Sequence, residues 1–327
     1  MERKLRLALL ASAVMVPVWA AYAGMTRYFV ELALDRKMPP VPLGFRGRLS
    51  GQMPDENTLR RLAQAADALR GRAHRQVLLT ARDGTVLVGH WFVPEHPKRV
   101  VLAMHGWRSD WAENFGLIAP FWLENGCAVL LPEQRGQGQS GGNAMAFGLL
   151  ERFDCLDWLQ WLNSQGCDCL PIYLGGVSMG ASTVLMAAGE ELPDNVRGVV
   201  ADCGYSTIGG IWRHVARRNL HITYAPRRRR VSKLCIHRLH CAPEDWSCPQ
   251  ALARSRVPVL LIHGSGDRFV PVEMSYENFL ACPGERQIWI VPGAGHGMSF
   301  LTDPEGYKNR LRDFWRQCEV DNGSAGG

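Results

Sequence analysis

The sequence predicts an α/β fold: a mostly parallel, doubly wound sheet with helices on both faces and an inserted lid. Three observations lead there. Short uninterrupted apolar runs recur at residues 100–104, 128–131, 172–177, 199–201, 259–262 and 288–291. Parallel strands buried on both faces need runs of this kind. Helical stretches separate the runs, and strand–helix alternation within one sheet gives right-handed crossovers. Residues 205–256 then break the rhythm between two of the runs without supplying a core strand, the position of a lid.

The elements follow in order. Residues 7–25 are uncharged and largely apolar, close to the ~20 residues of a spanning helix, and Arg3, Lys4 and Arg6 precede them. That basic flank predicts a cytoplasmic N-terminus with the main domain outside. Ala21-Tyr22-Ala23 resembles the small-residue cleavage site of a secretory signal, which would give a secreted product. The apolar run continues up to that site, and Phe29, Val30, Leu32 and Leu34 follow closely, so the favoured reading is an uncleaved signal anchor. A buried helix of a cytosolic protein is the alternative. Residues 38–54, rich in proline and glycine, read as a linker, and an alanine, leucine and arginine helix follows over 56–72. Residues 76–80 and 86–93, hinged on Asp83-Gly84, form an expected hairpin. The division is an anchor or signal peptide at 1–30, linker and helix at 31–74, the α/β domain at 75–320 with its lid at about 205–256, and a flexible tail at 321–327.

Composition limits the function classes. With 46% hydrophobic and 21% charged residues the chain is ordinary globular material, and 327 residues bury a core without disulfide support. Arginine makes up 32 of the 37 basic residues, but the net charge is only +6. No zinc-finger spacing, RNP-like aromatic motif or long basic helix is present, so nucleic acid is not an expected partner. Of the ten cysteines, Cys127, Cys155 and Cys203 lie in apolar runs and behave as small hydrophobes. Cys167 with Cys169, and the trio Cys235, Cys241 and Cys248, read as candidate disulfide partners. No metal site is expected, because CxxC spacing with histidines is lacking, and no cofactor is implied.

Gly176-Val177-Ser178-Met179-Gly180 fits G-x-S-x-G between a strand run and a helix beginning at Ala181. A nucleophilic serine needs that setting. Glycines two residues to either side permit a tight strand-to-helix turn that presents the hydroxyl near a helix N-terminus. The acid and the histidine then follow in chain order. Asp267 closes His263-Gly264-Ser265-Gly266-Asp267 after the run 259–262, and His296 lies in Gly293-Ala294-Gly295-His296-Gly297 after the run 288–291. Both therefore sit at the carboxyl ends of strands, the edge where open α/β sheets build sites. His296 would take the serine proton and Asp267 would orient it. Asp202, after the run 199–201, is the rival acid. The backbone N–H groups of Trp107 and Met179 are the candidate oxyanion donors. His105 and His263 read as structural, and Trp107, Trp111, Phe115 and Met179 as an apolar acyl pocket.

These residues resemble the α/β-hydrolase superfamily over roughly residues 76–318, and more narrowly its bacterial membrane-anchored or secreted members related to the BEM46 branch. The stretch Glu133-Gln134-Arg135-Gly136-Gln137-Gly138-Gln139-Ser140 is similar to that branch's D-x-R-x-x-G-x-S loop, with glutamate in place of a structural aspartate. Phe147-Gly148, Glu151 to Asp154, Asp157-Trp158 and the run Ala201 to Tyr205 carry the same resemblance. It implies an α/β-hydrolase fold and serine hydrolysis of a small-molecule or lipid-like carboxylic ester through an acyl-serine. The same triad serves thioesterases and peptidases, and a catalytically silent scaffold is the reading from another class. A serine nucleophile argues against a dehalogenase, which needs aspartate there. The arginines of the lid, Arg227 to Arg230 foremost, suit anionic substrates or lipid headgroups, or are a solvated loop.

Overall fold

Eight strands form one sheet in the order β1-β2-β4-β3-β5-β6-β7-β8. The structure, a computed structural model, describes residues 2–41 and 54–320, with side chains from Met15 to Glu319 within them. The strands are β1 (Arg75–Thr80), β2 (Val86–Phe92), β3 (Arg99–Met104), β4 (Cys127–Glu133), β5 (Ile172–Val177), β6 (Val196–Asp202), β7 (Val259–Gly264) and β8 (Arg286–Val291). The hairpin β1–β2 is antiparallel, with Leu78 opposite Val88, and Gly84 turns it at φ +84°. From β4 to β8 every pairing is parallel. The predicted sheet is therefore present, with each apolar run on a strand.

The helices are α1 (Glu2–Leu34), α2 (Glu56–Gly71), α3 (Trp111–Phe115), α4 (Ala119–Glu124), α5 (Glu151–Leu162), α6 (Met179–Ala187), α7 (Ile208–Arg218), α8 (Arg228–Leu239), α9 (Cys248–Leu252), α10 (Glu273–Ala281), α11 (Ser299–Thr302) and α12 (Pro304–Val320). Strand alternation sends side chains to two cores. Val100, Leu102 and Met104 of β3 join α5 and α6 on one face. Val101 and Ala103 join α3, α4 and α12 on the other. β5 and α6 are almost wholly buried, so the turn between them is held on all sides.

Residues 205–256 form the inserted layer, made of α7, α8 and α9 and no strand. Helix α1 runs to Leu34, past the boundary drawn at residue 30, and Val30 and Leu34 are buried in the core below the lid. Among the described residues no helix is long and apolar enough to cross a membrane. The first half of the run 7–25 has no described side chains, and most of the linker and the whole 321–327 tail lie outside the described residues.

The expected disulfide partners are not paired: all ten cysteines are free thiols. Cys235 and Cys248 are buried packing residues, and Cys169 is exposed. Sequence proximity suggested these pairs, but neither spacing nor burial requires them.

Candidate active site

The residue at the end of β5 sets the geometry. Ser178 has φ +56° and ψ −116°, a conformation costly for a side chain and sustained only by surrounding structure. Its amide donates to the Asp202 carbonyl at 2.9 Å, which pins it to the neighbouring strand. Both flanking glycines are sterically compelled. A Cβ on Gly176 would lie 2.4 Å from the Gly180 backbone, and one on Gly180 would lie 1.8 Å from the Met104 carbonyl oxygen.

The loops after β7 and β8 bring the partners to this turn. His296 Nε2 is 2.9 Å from Ser178 Oγ, and His296 Nδ1 is 2.7 Å from Asp267 Oδ2. Asp267 Oδ1 accepts the amides of Phe269 at 2.8 Å and Val270 at 2.9 Å. Burial alone would raise the Asp267 pKa. The adjacent His296 and His263 outweigh it and hold the carboxyl well below the usual range. His263, fully buried, reaches Asp267 Oδ2 at 3.2 Å while its Nδ1 meets Ser275 Oγ at 2.6 Å. Its expected structural place beneath the acid loop is what the geometry gives, with a direct contact to the acid besides.

Asp202 is elsewhere. Its Oδ1 accepts from Ser299 Oγ at 2.8 Å, and burial raises its pKa from an ordinary 3.8 to about 6. His105 is buried between the Gly106 carbonyl and the Gln134 amide, which donates to its Nε2 at 3.0 Å, and burial lowers its pKa. Glu133 is likewise internal, 2.9 Å from His90 Nε2.

The loop after β3 lies against the serine. Gly106 N donates to Asn114 Oδ1 at 2.6 Å and Arg108 N donates to Gln137 Oε1 at 2.6 Å. Among the described residues no hydrogen bond takes the intervening Trp107 N–H, or the Met179 N–H at the start of α6. Both are free for an oxyanion. Cys203, Asp267 and His296 offer atoms close enough to share a metal ion. Both nitrogens of His296 are already engaged, and burial pushes the Cys203 thiol far up and so away from the thiolate a metal needs.

Above Ser178 lies an open-mouthed, largely apolar cavity. Trp107 and Met179 line it as expected, but Trp111 and Phe115 do not. They belong to the core on the opposite face, where Trp111 stacks on His90 at 4.0 Å and Phe115 meets Trp122 at 5.7 Å. Residues that sequence reasoning left out of the site also line the cavity: Phe147, Trp212 and Phe269, and the last turns of α1. For α1 a signal did exist. Thr26, Phe29, Val30 and Ala33 recur at helical spacing, and Arg27 and Glu31 pair on another face at 2.7 Å.

Residues 100–309 match the alpha/beta hydrolase family. The chain is 23% identical over 231 residues to the uncharacterized protein YqkD of Bacillus subtilis (strain 168), covering 71% of this chain and 75% of that one. It is 24% identical over 250 residues to the uncharacterized protein YfhR of Escherichia coli (strain K12), covering 73% and 79%. Among solved structures, the Pyrococcus furiosus esterase Pf2001 aligns with a TM-score of 0.60 at 22% identity, over 81% of this chain and 98% of that one. The alpha/beta hydrolase GrgF from Penicillium sp. sh18 aligns with a TM-score of 0.57 at 20% identity, over 75% and 99%. At these identities the structural likeness speaks to the fold, and the BEM46 branch is not distinguished by it. The family match covers most of the chain and takes in strands β3 to β8 of the sheet just described, so this chain belongs to the alpha/beta hydrolase family.

Proposed function

We propose that the protein is a serine hydrolase that cleaves a carboxylic ester through an acyl-serine intermediate. The observation that carries this reading is the hydrogen-bonded chain from Asp267 through His296 to Ser178 on a strained, fully supported turn. Ser178 Oγ attacks the ester carbonyl while His296 Nε2 accepts its proton. Asp267 keeps the other imidazole proton on Nδ1 and stabilises the imidazolium. The carbonyl oxygen, now an anion, takes hydrogen bonds from the N–H groups of Trp107 and Met179. The imidazolium then gives its proton to the leaving alkoxide. Water repeats the cycle: His296 removes a water proton, hydroxide attacks the acyl-serine, and Ser178 leaves with the proton returned. The apolar cavity beside Ser178 supports an ester with a hydrocarbon acyl group.

The N-terminal segment is part of this proposal. We infer that it attaches the domain to a bilayer, with the catalytic domain on the extracytoplasmic side. Met15, Val16, Val18 and Trp19 are each more than half exposed on α1, a costly arrangement in water. Arg230 lies 5.3 Å from the Trp19 ring and Arg227 lies 4.6 Å from the Tyr22 ring, so cationic side chains border the apolar turns.

Labelling of the purified protein with a fluorophosphonate probe tests the chemistry. Wild type should label and Ser178→Ala should not, with short esters hydrolysed only by the former. A folded wild type that neither labels nor hydrolyses would refute an activated Ser178.

A further inference from the structure

Helix α1 is built into the site. Its last turns supply Thr26, Phe29, Val30, Leu32 and Ala33 to the lining of the cavity, together with Trp212, Val215, Ala216 and their neighbours on the lid. Several polar groups on these walls are spent within the protein, while Trp212 Nε1, Tyr224 Oη and Arg227 Nε have no hydrogen-bond partner among the described residues. Thr26 Oγ1 donates to the Tyr22 carbonyl, Tyr205 Oη to the Phe147 carbonyl, and Trp107 Nε1 to the Ala33 carbonyl. What faces the space is mostly carbon.

The wall is also fastened to the machinery beside the serine. Trp107 and Arg108 belong to the loop that holds a candidate oxyanion donor. Trp107 Nε1 reaches the Ala33 carbonyl at 2.9 Å, and Arg108 Nη2 reaches the carbonyls of Leu32 at 2.8 Å and Asp35 at 2.7 Å. A guanidinium on the terminal carbonyls of a helix is a favourable cap. On the other side Arg238 of α8 pairs with Asp35 and, at 3.2 Å, with Glu31. The helix end thus ties the oxyanion loop to the lid.

We propose that the last turns of α1 are the wall that selects acyl-chain length, and that the site takes a long unbranched acyl chain, as in a lipid ester. The substrate class rests on the serine-hydrolase reading, but the chain-binding wall does not. From Ala33, beside the oxyanion loop, to Thr26 the helix rises roughly 10 Å, the span of about eight chain bonds at ~1.3 Å each. Chains of about nine or more carbons therefore use the whole wall, and a butyryl chain uses only its near end. Burial of each added methylene should raise kcat/KM by about fourfold until the wall is covered.

Two measurements on the full chain separate this wall from the chemistry. In a Ser178→Ala background, dodecanoate should displace a fluorescent C18 fatty acid from the cavity. Ala33→Phe, which projects into the cavity, should weaken dodecanoate by tenfold or more, and Phe29→Ala should shift its affinity as well. In the active protein, p-nitrophenyl octanoate should exceed the butyrate in kcat/KM, and Phe29→Ala should lower that ratio. Absence of fatty-acid binding, or dodecanoate affinity unchanged within twofold in both variants, overturns the proposal. Chain binding that responds to Ala33→Phe in a protein whose wild type neither labels nor turns over would uphold the wall and reject the serine chemistry.

Discussion

Replacing Asp267 by asparagine is the sharpest test of the catalytic assignment, because the structure fixes how the new side chain must sit. Oδ1 of Asp267 is held by the amides of Phe269 and Val270, so the asparagine oxygen takes that place. Its NH2 group then faces His296 Nδ1, where a carboxylate oxygen now stands at 2.7 Å. Two donors confront each other, and the imidazole relieves this by moving its proton to Nε2. That nitrogen then points a donor at Ser178 Oγ and can no longer accept the serine proton. The expected loss in kcat is about 10⁴-fold, or ~5 kcal/mol of transition-state stabilisation, the scale seen when a triad aspartate is so replaced. KM should stay within a few-fold, because Asp267 does not line the cavity. Steady-state hydrolysis of an acetyl ester and the rate of fluorophosphonate labelling should fall together. Asp202→Asn is the companion, expected within about threefold of wild type because that side chain bonds Ser299. A loss below tenfold for Asp267→Asn, or an equal loss for Asp202→Asn, would refute the assignment.

Other outcomes follow from the same contacts. Folding holds Asp202 protonated up to about 6 while the unfolded chain releases that proton near 3.8. The native state therefore binds the extra proton in that window, and stability falls as pH rises through it, by on the order of 3 kcal/mol. Denaturant melts at pH 4 and pH 7 should show this slope in wild type and a flatter one in Asp202→Asn. Gly180→Ala drives a methyl into the Met104 carbonyl and should cost about 3 kcal/mol or prevent folding. Gly71→Ala, with open space around it, should be neutral or slightly stabilising, and thermal melts distinguish the two. Co-sedimentation with phosphatidylserine vesicles should exceed that with phosphatidylcholine. At ~1 kcal/mol per arginine near an anionic surface, Arg229→Ala with Arg230→Ala should reduce it roughly thirtyfold. Equal binding to both vesicle types would reject the electrostatic part of the attachment.

What was legible in the sequence was whatever is written locally. Ser178, Asp267 and His296 each lie within five residues of a strand end and close to glycine, so their placement at one edge of the sheet is visible within a few residues. The sheet was legible for the same reason, since each strand is one continuous run. The pocket was not. Trp111 and Phe115 have the right chemistry for an acyl wall, but their chain segment lies on the far face of the sheet, a fact of topology rather than residue type. The cysteines misled similarly, because closeness in sequence says nothing about whether two thiols approach in a packed core. Helix α1 was hidden by a coincidence of composition. Phe29, Val30 and Ala33 are as suitable for a membrane segment as for a pocket wall, and only the charges at Arg27, Glu31 and Asp35 mark the helix as amphipathic there.

That coincidence bears on how the two fates of the N-terminus differ. A cut after Ala23 would remove Trp19 and Tyr22, and with them the ring contacts of Arg230 and Arg227 and the bond from Tyr22 Oη to the Pro226 carbonyl at 2.7 Å. It would leave Thr26 to Ala33 in the pocket, and the bonds from Trp107 and Arg108 to the helix end intact. Arg238 would still hold Glu31 and Asp35. The uncut helix therefore grips the lid at two places, near Pro226 and at Arg238, whereas a cut one grips it only at the second. The proposed membrane attachment and this contact with the lid would use the same two turns, residues 15–22, while the wall of the site stands C-terminal to the cut in both cases. An uncut chain should consequently differ from a cut one in how firmly its lid is held, and not in which acyl chain fits beside Ser178.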